Sequence, residues 1–495
     1  MGIIRRQSIH ISIISYLGYG LGYVNTVLLF PVFFNPEEYG LTRVLIAVVA
    51  IASQLAMFGL ANTIVKFFPR FKASDEQQQH GFLGFALKWA LIGIGVVGAL
   101  LYFAEPLVVA AKQQDSSLFA DYYMLLFPFL AFEVLYQVLS NYARAQFHSV
   151  VNVFFKELFL RITTALLIGA YYLGWLTLPQ FFWLFVLQFG FLVVGLLVYL
   201  RGIGPLGLKV DQTFLDGPLR KELLRYRTFS ALTNVSAYML LYIDILMVGF
   251  MVGLKYTAFY SVAFYVVALM NIPRNAISSI SLPVVSDAWQ RNDLDKIQSV
   301  YAKTSKNQLL MATLLFVGIW ANEANVFKLL PDAYADGKWV LFFAGIARLA
   351  DAGFGMNGGI IVTSKFYKFD TYFNVVLLAV TVLLNWVLIP IYGISGAAMA
   401  TAISLCSFNV AKYFFLRLKF GFDPFDRRSV FILLLGLLCY GANTFVPNQE
   451  NLVLDVTLRS TLILGIFVPV SLKWRLSEDV NQFVQSLWDR FKSKD

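Results

Sequence analysis

Residues 178–200 read LPQFFWLFVLQFGFLVVGLLVYL, an apolar run without a single charged residue, closed by Arg201. A helix needs about 20 mostly apolar residues to cross the hydrocarbon of a bilayer. No water is available there for backbone N–H and C=O groups, so a run of this kind must be helical. Similar stretches precede it near 9–32, 39–64, 81–103, 118–143 and 150–174. Others follow near 226–252, 256–283, 307–322, 338–362, 369–390, 394–416, 429–446 and 452–472. The expectation is an all-α integral membrane protein with about fourteen transmembrane helices.

The connections set the orientation, because cytoplasmic loops carry an excess of Lys and Arg. With Met1 inside, the inner connections collect most of the basic residues, among them Arg5, Arg6, Lys66, Arg70, Arg201, Arg220, Arg227, Lys306, Lys412 and Lys473. The outer connections hold only Lys112, Lys255, Lys328, Lys338 and Arg459. The pattern predicts a multi-pass protein of the cell inner (cytoplasmic) membrane with both termini cytoplasmic. It also accounts for most of the net charge of +10. Basic loops facing anionic membrane lipid explain that charge better than a nucleic-acid surface does, so no nucleic-acid partner is expected.

The composition, 59% hydrophobic and 14% charged with 3 His and 2 Cys, excludes several classes. Cys406 and Cys439 both lie in apolar spans, so neither a disulfide framework nor a cysteine-rich metal site is expected. No cofactor or metal is expected. The connections are too short for a catalytic domain, so the chain does not read as an enzyme. Arg5-Arg6 and the apolar run behind them invite a signal-peptide reading. The run is of spanning length and lacks a small-x-small cleavage site, so it reads as the first span. Gly93-Ile94-Gly95-Val96-Val97-Gly98 fits GxGxxG but lies mid-span with no strand before it. Small residues at a helix contact account for it better.

The second half can be laid on the first at an offset of about 217 residues, spans 1–6 on spans 7–12, an arrangement common in transporters. Glu38-Tyr39-Gly40 then falls on Lys255-Tyr256-Thr257, and Glu133 near Asp351. The expected domains are an N-lobe (1–200), a cytoplasmic linker (201–225), a C-lobe (226–418), spans 13–14 (419–476) and a tail (477–495). In the tail, Val480, Phe483, Val484, Leu487, Trp488 and Phe491 recur at helical spacing after Ser477, a plausible N-cap. It reads as an amphipathic helix on the inner surface.

Polar residues within spans face a partner helix or a wet cavity. Span 4 carries Glu133, Tyr136, Gln137, Ser140, Asn141 and Arg144 on one face. Span 8 carries Asn271, Arg274, Asn275 and Ser278 beside Pro273, which removes a backbone donor and predicts a kink. Span 1 carries Ser12, Tyr16, Tyr19, Tyr23 and Thr26; span 7 carries Ser230, Thr233, Asn234, Tyr238 and Tyr242. Each stripe alone is explained by interhelical hydrogen bonding. Together they predict a central cleft suited to a hydroxyl-rich ligand such as a glycan. The candidate glycan residues are Tyr16, Tyr19, Tyr23, Gln137, Asn141, Asn234, Asn271 and Asn275.

Basic residues also lie in spans. Glu157 with Arg161, and Arg348 with Asp351, are spaced to neutralise each other. Lys88 and Lys156 are placed to snorkel to an inner helix end, and Arg43 to the outer one. Arg274 has no local acid, and Glu133 has no base one turn away. Candidates for an anionic group are Arg274, Arg43, Arg144 and Arg348. Candidates for ion coupling are Glu133, Asp244 and Asp351. Span 1 contains no acid, which favours an anionic substrate over a cationic drug.

Asn35-Pro36-Glu37-Glu38-Tyr39-Gly40, then an apolar run, then Phe58-Gly59-Leu60, resembles the start of the polysaccharide biosynthesis and O-antigen flippases. These belong with the multidrug/oligosaccharidyl-lipid/polysaccharide exporters. Leu384-Asn385-Trp386-Val387-Leu388-Ile389-Pro390, Tyr392-Gly393 and Gly396-Ala397-Ala398-Met399-Ala400-Thr401 are similar to the segment joining spans 11 and 12 in that family. The resemblance implies two six-helix lobes opening alternately to each side, with spans 13 and 14 added. It also implies a cationic cavity for a polyprenyl diphosphate headgroup, a role that carries over to Arg43 and Arg274. Span 1 lacks the arginines of the peptidoglycan-precursor branch. Glu37 and Glu38 belong to the motif but read as a solvated turn and helix N-terminus. The expected substrate is an undecaprenyl-diphosphate-linked oligosaccharide for lipopolysaccharide or exopolysaccharide synthesis. A polysaccharide polymerase or glycosyltransferases are candidate partners. The competing readings are a cation-coupled multidrug antiporter of the same superfamily and a membrane glycan polymerase or transferase.

Overall fold

The computed structural model describes residues 2–74, 81–112, 118–209 and 217–492, and all regular structure among them is helical. Among them, eight helices are long and apolar enough to cross a membrane, or ten if each of two bent pairs is one span. The sequence expectation of about fourteen differs for local reasons. The helix Tyr367–Phe420 contains two of the predicted intervals, folded at Gly393 (φ 57°, ψ −137°), a backbone that only glycine adopts without strain. Residues 149–172 are broken by a π-helical turn, Phe154–Phe159, that carries Lys156 and Glu157. The helix Arg427–Asn443 has 17 residues. The helix Leu294–Ala321 opens with a charged turn that lowers its apolar character.

The chain forms two compact units, Met1–Ala258 and Phe259–Asp495. The first contains the helix Gly217–Met251, which packs along Pro36–Met57. The basic first turns of that helix belong to the expected linker, of which residues 210–216 lie outside the described residues.

Local sequence explains the helix ends. Asn35 caps Pro36–Met57, with its backbone N–H donating to Glu38 Oε2 at 3.1 Å in a capping box and Pro36 in the first turn. Glu38 is thus the helix-start residue that the sequence suggested. Thr177 and Gln180 form the same device ahead of Leu178–Ile203. Ser477 Oγ accepts from the Val480 N–H at 3.2 Å, capping the tail helix Glu478–Lys492. The side chains of Phe483, Leu487, Trp488 and Phe491 lie outside the described residues. The expected kink at Pro273 is a break between Leu254–Ala268 and Asn271–Gln290, bent by 48°. A methyl group at Gly93 would lie 2.0 Å from the Ala56 carbonyl oxygen, so Gly93 marks a tight helix contact, whereas a methyl group at Gly95 would meet open space.

Candidate functional site

In the first unit the span 4 stripe faces neighbouring helices. Glu133 is buried, and its Oε1 accepts from Lys156 Nζ at 2.8 Å and from Gln137 Nε2 at 2.8 Å. Gln137 Nε2 also approaches Ser53 Oγ at 3.1 Å, and Gln54 Nε2 donates to Gln137 Oε1 at 2.9 Å. Lys156, on the π-helical turn, therefore pairs with Glu133 rather than reaching only for a helix end, with its ammonium 5.5 Å from the Tyr136 ring centroid. Glu133 has a base after all, and it comes from another helix. π-helical turns are frequent at functional sites. A second such turn, Val24–Leu29, lies in span 1, where Asn25 Nδ2 donates to the Arg161 carbonyl at 2.8 Å. Arg161 pairs with Glu157 at 2.5 Å, as the spacing suggested, and donates to the Gly18 carbonyl.

Arg43 packs against aromatic rings near the start of its helix. Its guanidinium lies 4.9 Å from the Tyr39 ring centroid and 5.5 Å from that of Phe30, with Nη2 3.5 Å from Thr26 Oγ1. Its Nε is buried without a hydrogen-bond partner. Asn141 Nδ2 donates to the Gln137 carbonyl and its Oδ1 accepts from the exposed Arg144. Asn234 Oδ1 accepts from Asn62 Nδ2 at 3.1 Å. Tyr16 and Tyr19 are exposed and Tyr23 is half-buried, with Arg161 over the Tyr19 ring at 5.5 Å. Asp244 is buried.

In the second unit a polar pocket of about 320 Å³ is lined by Arg274, Asn275, Ser278, Asp351, Asn357, Asn409 and Lys412, among others. Asp351 links two of these residues. Its Oδ2 is 3.1 Å from Arg274 Nε and its Oδ1 accepts from Asn409 Nδ2 at 3.1 Å. Asn357 Nδ2 donates to Asn409 Oδ1 at 2.8 Å. The Arg274–Asp351 contact is an ion pair without hydrogen-bond alignment, leaving Nε with no hydrogen-bond partner. Arg274 thus finds across the pocket an acid that no near neighbour on its own helix supplies. Arg348 lies 5.3 Å from the Phe264 ring centroid. Asn271 is half-buried and does not line the pocket.

The sequence reading missed Lys412, which it assigned to an inner connection. The ammonium is buried, donates to Asp370 Oδ1 at 2.6 Å and lies 4.1 Å from the Phe408 ring centroid. Asp370 Oδ2 accepts from Asn374 Nδ2 at 3.1 Å. Asn409 and Lys412 at i, i+3, and Asp370 and Asn374 at i, i+4, put polar groups on single helix faces, and that signal was available in the sequence. Arg227, also assigned to a connection, is buried with its guanidinium 4.7 Å from the Trp89 ring centroid. Among the described residues no group of three or more His, Cys, Asp or Glu could hold a metal ion.

A multi-pass helical membrane protein with cations buried against carboxylates has the build of a transporter. A profile described as polysaccharide biosynthesis protein matches residues 4–289, and the chain belongs to that family. It is 23% identical over 269 residues to the probable low-salt glycan biosynthesis flippase Agl15 of Haloferax volcanii. That match spans 53% of this chain and about half the length of the relative, 55%. The fold matches the lipid II flippase MurJ in an inward closed conformation, with TM-score 0.73 and 15% identity over 94% of this chain and 99% of that one. It also matches an inward-facing multidrug resistance MATE family transporter of the MOP superfamily, with TM-score 0.61 and 14% identity over 82% of this chain and 94% of that one.

Proposed function

We propose that the chain is a flippase that moves an undecaprenyl-diphosphate-linked oligosaccharide from the cytoplasmic to the outer leaflet of the inner membrane, for surface polysaccharide synthesis. Both termini are cytoplasmic in this reading, and lobes 1–200 and 226–418 carry alternating access of a cationic polar cleft. Family membership supports the substrate class, and the pocket around Arg274 is the observation that carries the mechanism. Its two cations, Arg274 and Lys412, are each held by a carboxylate. Pairing limits the cost of placing charge in a membrane interior.

An entering diphosphate competes with Asp351 for Arg274, whose unaligned Nε makes that exchange less costly than breaking a saturated pair. Arg43, Arg144 and Arg348 are further candidate ligands for the headgroup. Tyr16, Tyr19, Tyr23, Gln137, Asn141, Asn234, Asn271 and Asn275 are candidates for the glycan. Asp351, once released, is a site for a coupling proton or cation, with Glu133 and Asp244 as the other candidates. An interior-negative potential favours outward movement of negative charge by about 2.3 kcal/mol per charge per 100 mV.

The second reading is a cation-coupled multidrug antiporter, favoured by the MATE-like fold and by the buried acids Glu133 and Asp351. The test is transfer of a fluorescent polyprenyl-diphosphate oligosaccharide in proteoliposomes. The expected result is protein-dependent transfer that Arg274→Ala abolishes in a folded, inserted variant. Unchanged transfer in that variant discards the site. No transfer of such lipids, with ion-driven efflux of a cationic dye, moves the assignment to the antiporter.

A further inference from the structure

The second unit holds another cavity, of about 480 Å³, away from the Arg274 pocket and built largely from helix ends and the loop before Leu452–Lys473. Part of its lining is a hydrogen-bonded polar hub. Arg459 Nε donates to Asp455 Oδ2 at 2.7 Å and Nη2 to Asn448 Oδ1 at 2.7 Å, and the guanidinium also reaches the Val446 carbonyl at 3.3 Å. Asp455 Oδ1 accepts from the Gln449 N–H at 2.9 Å. The hub fixes residues 443–451 and leaves the cavity above it open.

We infer that this cavity binds one or two units of a hydroxyl-rich saccharide, with an acidic sugar favoured over a neutral one. Two wall residues, Asn325 and Asn443, are nearly fully buried, and each keeps a carboxamide oxygen with no hydrogen-bond partner. An unpaired buried acceptor is costly; neither oxygen has open surface as it stands, so a hydroxyl donor relieves it when the carboxamide turns into the cavity. Trp320 and Tyr440 supply the apolar faces on which a sugar ring packs. The volume falls in the range of small-ligand sites. The charge count selects among sugars. Lys338 is held by Glu323 at 2.8 Å and Arg459 by Asp455, but among the described residues Lys328 has no carboxylate partner, only the Gln449 carbonyl at 3.5 Å. One uncompensated cation at the wall favours a sugar carboxylate. In the proposed orientation this cavity opens on the outer face, where a delivered glycan is met.

The test titrates free glucuronate and free glucose into the purified full chain in detergent, read by tryptophan fluorescence and saturation-transfer NMR. These probes carry neither lipid nor diphosphate, so the result is independent of whether the chain flips a lipid. Saturable binding of glucuronate is expected, weaker for glucose. Asn443→Leu, which keeps the backbone carbonyl used by Arg459, should weaken both at least tenfold. Lys328→Gln, a change at the wall outside the hub, should bring the two affinities together. Absence of saturable binding by either sugar overturns the inference. So does unchanged affinity in Asn443→Leu, or, should that variant misfold, an unchanged preference in Lys328→Gln.

Discussion

Lys412→Met tests whether the buried pair in the Arg274 pocket behaves as a unit. The side chains of Lys412 and Asp370 are 6% and 18% exposed, and Nζ lies 2.6 Å from Oδ1. Removing the ammonium leaves Asp370 with the Asn374 amide, at 3.1 Å. Breaking a buried pair costs about 3–5 kcal/mol, and the surviving bond places this case near 3 kcal/mol. The cation over the Phe408 ring adds to the loss. For a unit of the size of Phe259–Asp495, that corresponds to a drop in Tm of about 6–12 °C in detergent. Asp370→Leu should cost a similar amount, because it strands the lysine. The double variant Lys412→Met/Asp370→Leu removes both charges and should recover most of the loss, with a coupling of at least about 2 kcal/mol in the cycle. Additive losses would refute the pairing.

Two further outcomes follow from other regions of the structure. A methyl group at Gly40 would lie 1.8 Å from the Leu254 carbonyl oxygen, so Gly40→Ala must push the two backbones away from each other. A loss of about 3 kcal/mol or more is expected, read as a lower Tm and a lower folded yield; wild-type values would show that the helices do not meet there. Burial acts to raise the Asp426 carboxyl, but Lys306, at 2.9 Å, and the Ser429 N–H outweigh it and hold the group below its usual range. A depressed value in the folded state gives stability that is present above about pH 4, the unfolded value, and is lost as pH falls through the folded one. Asp426→Asn should therefore lower Tm at pH 7 and flatten the acid side of the Tm–pH curve. An unchanged acid slope would count against the pair.

Fold class was legible because the bilayer makes a one-dimensional demand: residues 178–200 are long, apolar and uncharged whatever surrounds them. The helix starts at Asn35–Glu38 and Ser477 were legible for a similar reason, since a cap is a local bond. The i, i+4 pair Glu157–Arg161 was legible too, but charge partners on different helices were not. Glu133 meets Lys156 from a sequence distance of 23 residues, and Asp370 meets Lys412 from 42. A single helix face cannot name a partner on another helix. The positive-inside rule also misleads at helix ends: Lys412 and Arg227 sit close enough to connections to be counted as loop charges, yet both are buried. Lys156 lies on the π-helical turn Phe154–Phe159, and nothing in the local apolar pattern announces that turn.

The pairing has a consequence for how such a protein can select a substrate. Glu133 with Lys156, Glu157 with Arg161, Asp351 with Arg274 and Asp370 with Lys412 are each close to neutral. A ligand of either sign therefore meets no free counter-charge at these positions and must take one partner from the other. An anion that binds Arg274 frees Asp351; a cation that binds Asp351 frees Arg274. The same pair thus supports a flippase or an antiporter, and the difference lies in which member the ligand claims. Asp351 keeps the Asn409 donor when Arg274 leaves, whereas Arg274 has an Nε that no hydrogen bond satisfies even beside Asp351. The carboxylate is the better supported of the two after exchange, and the guanidinium has more to gain from a new partner. In the proposed flippase reading, that asymmetry favours an anionic headgroup over a cation.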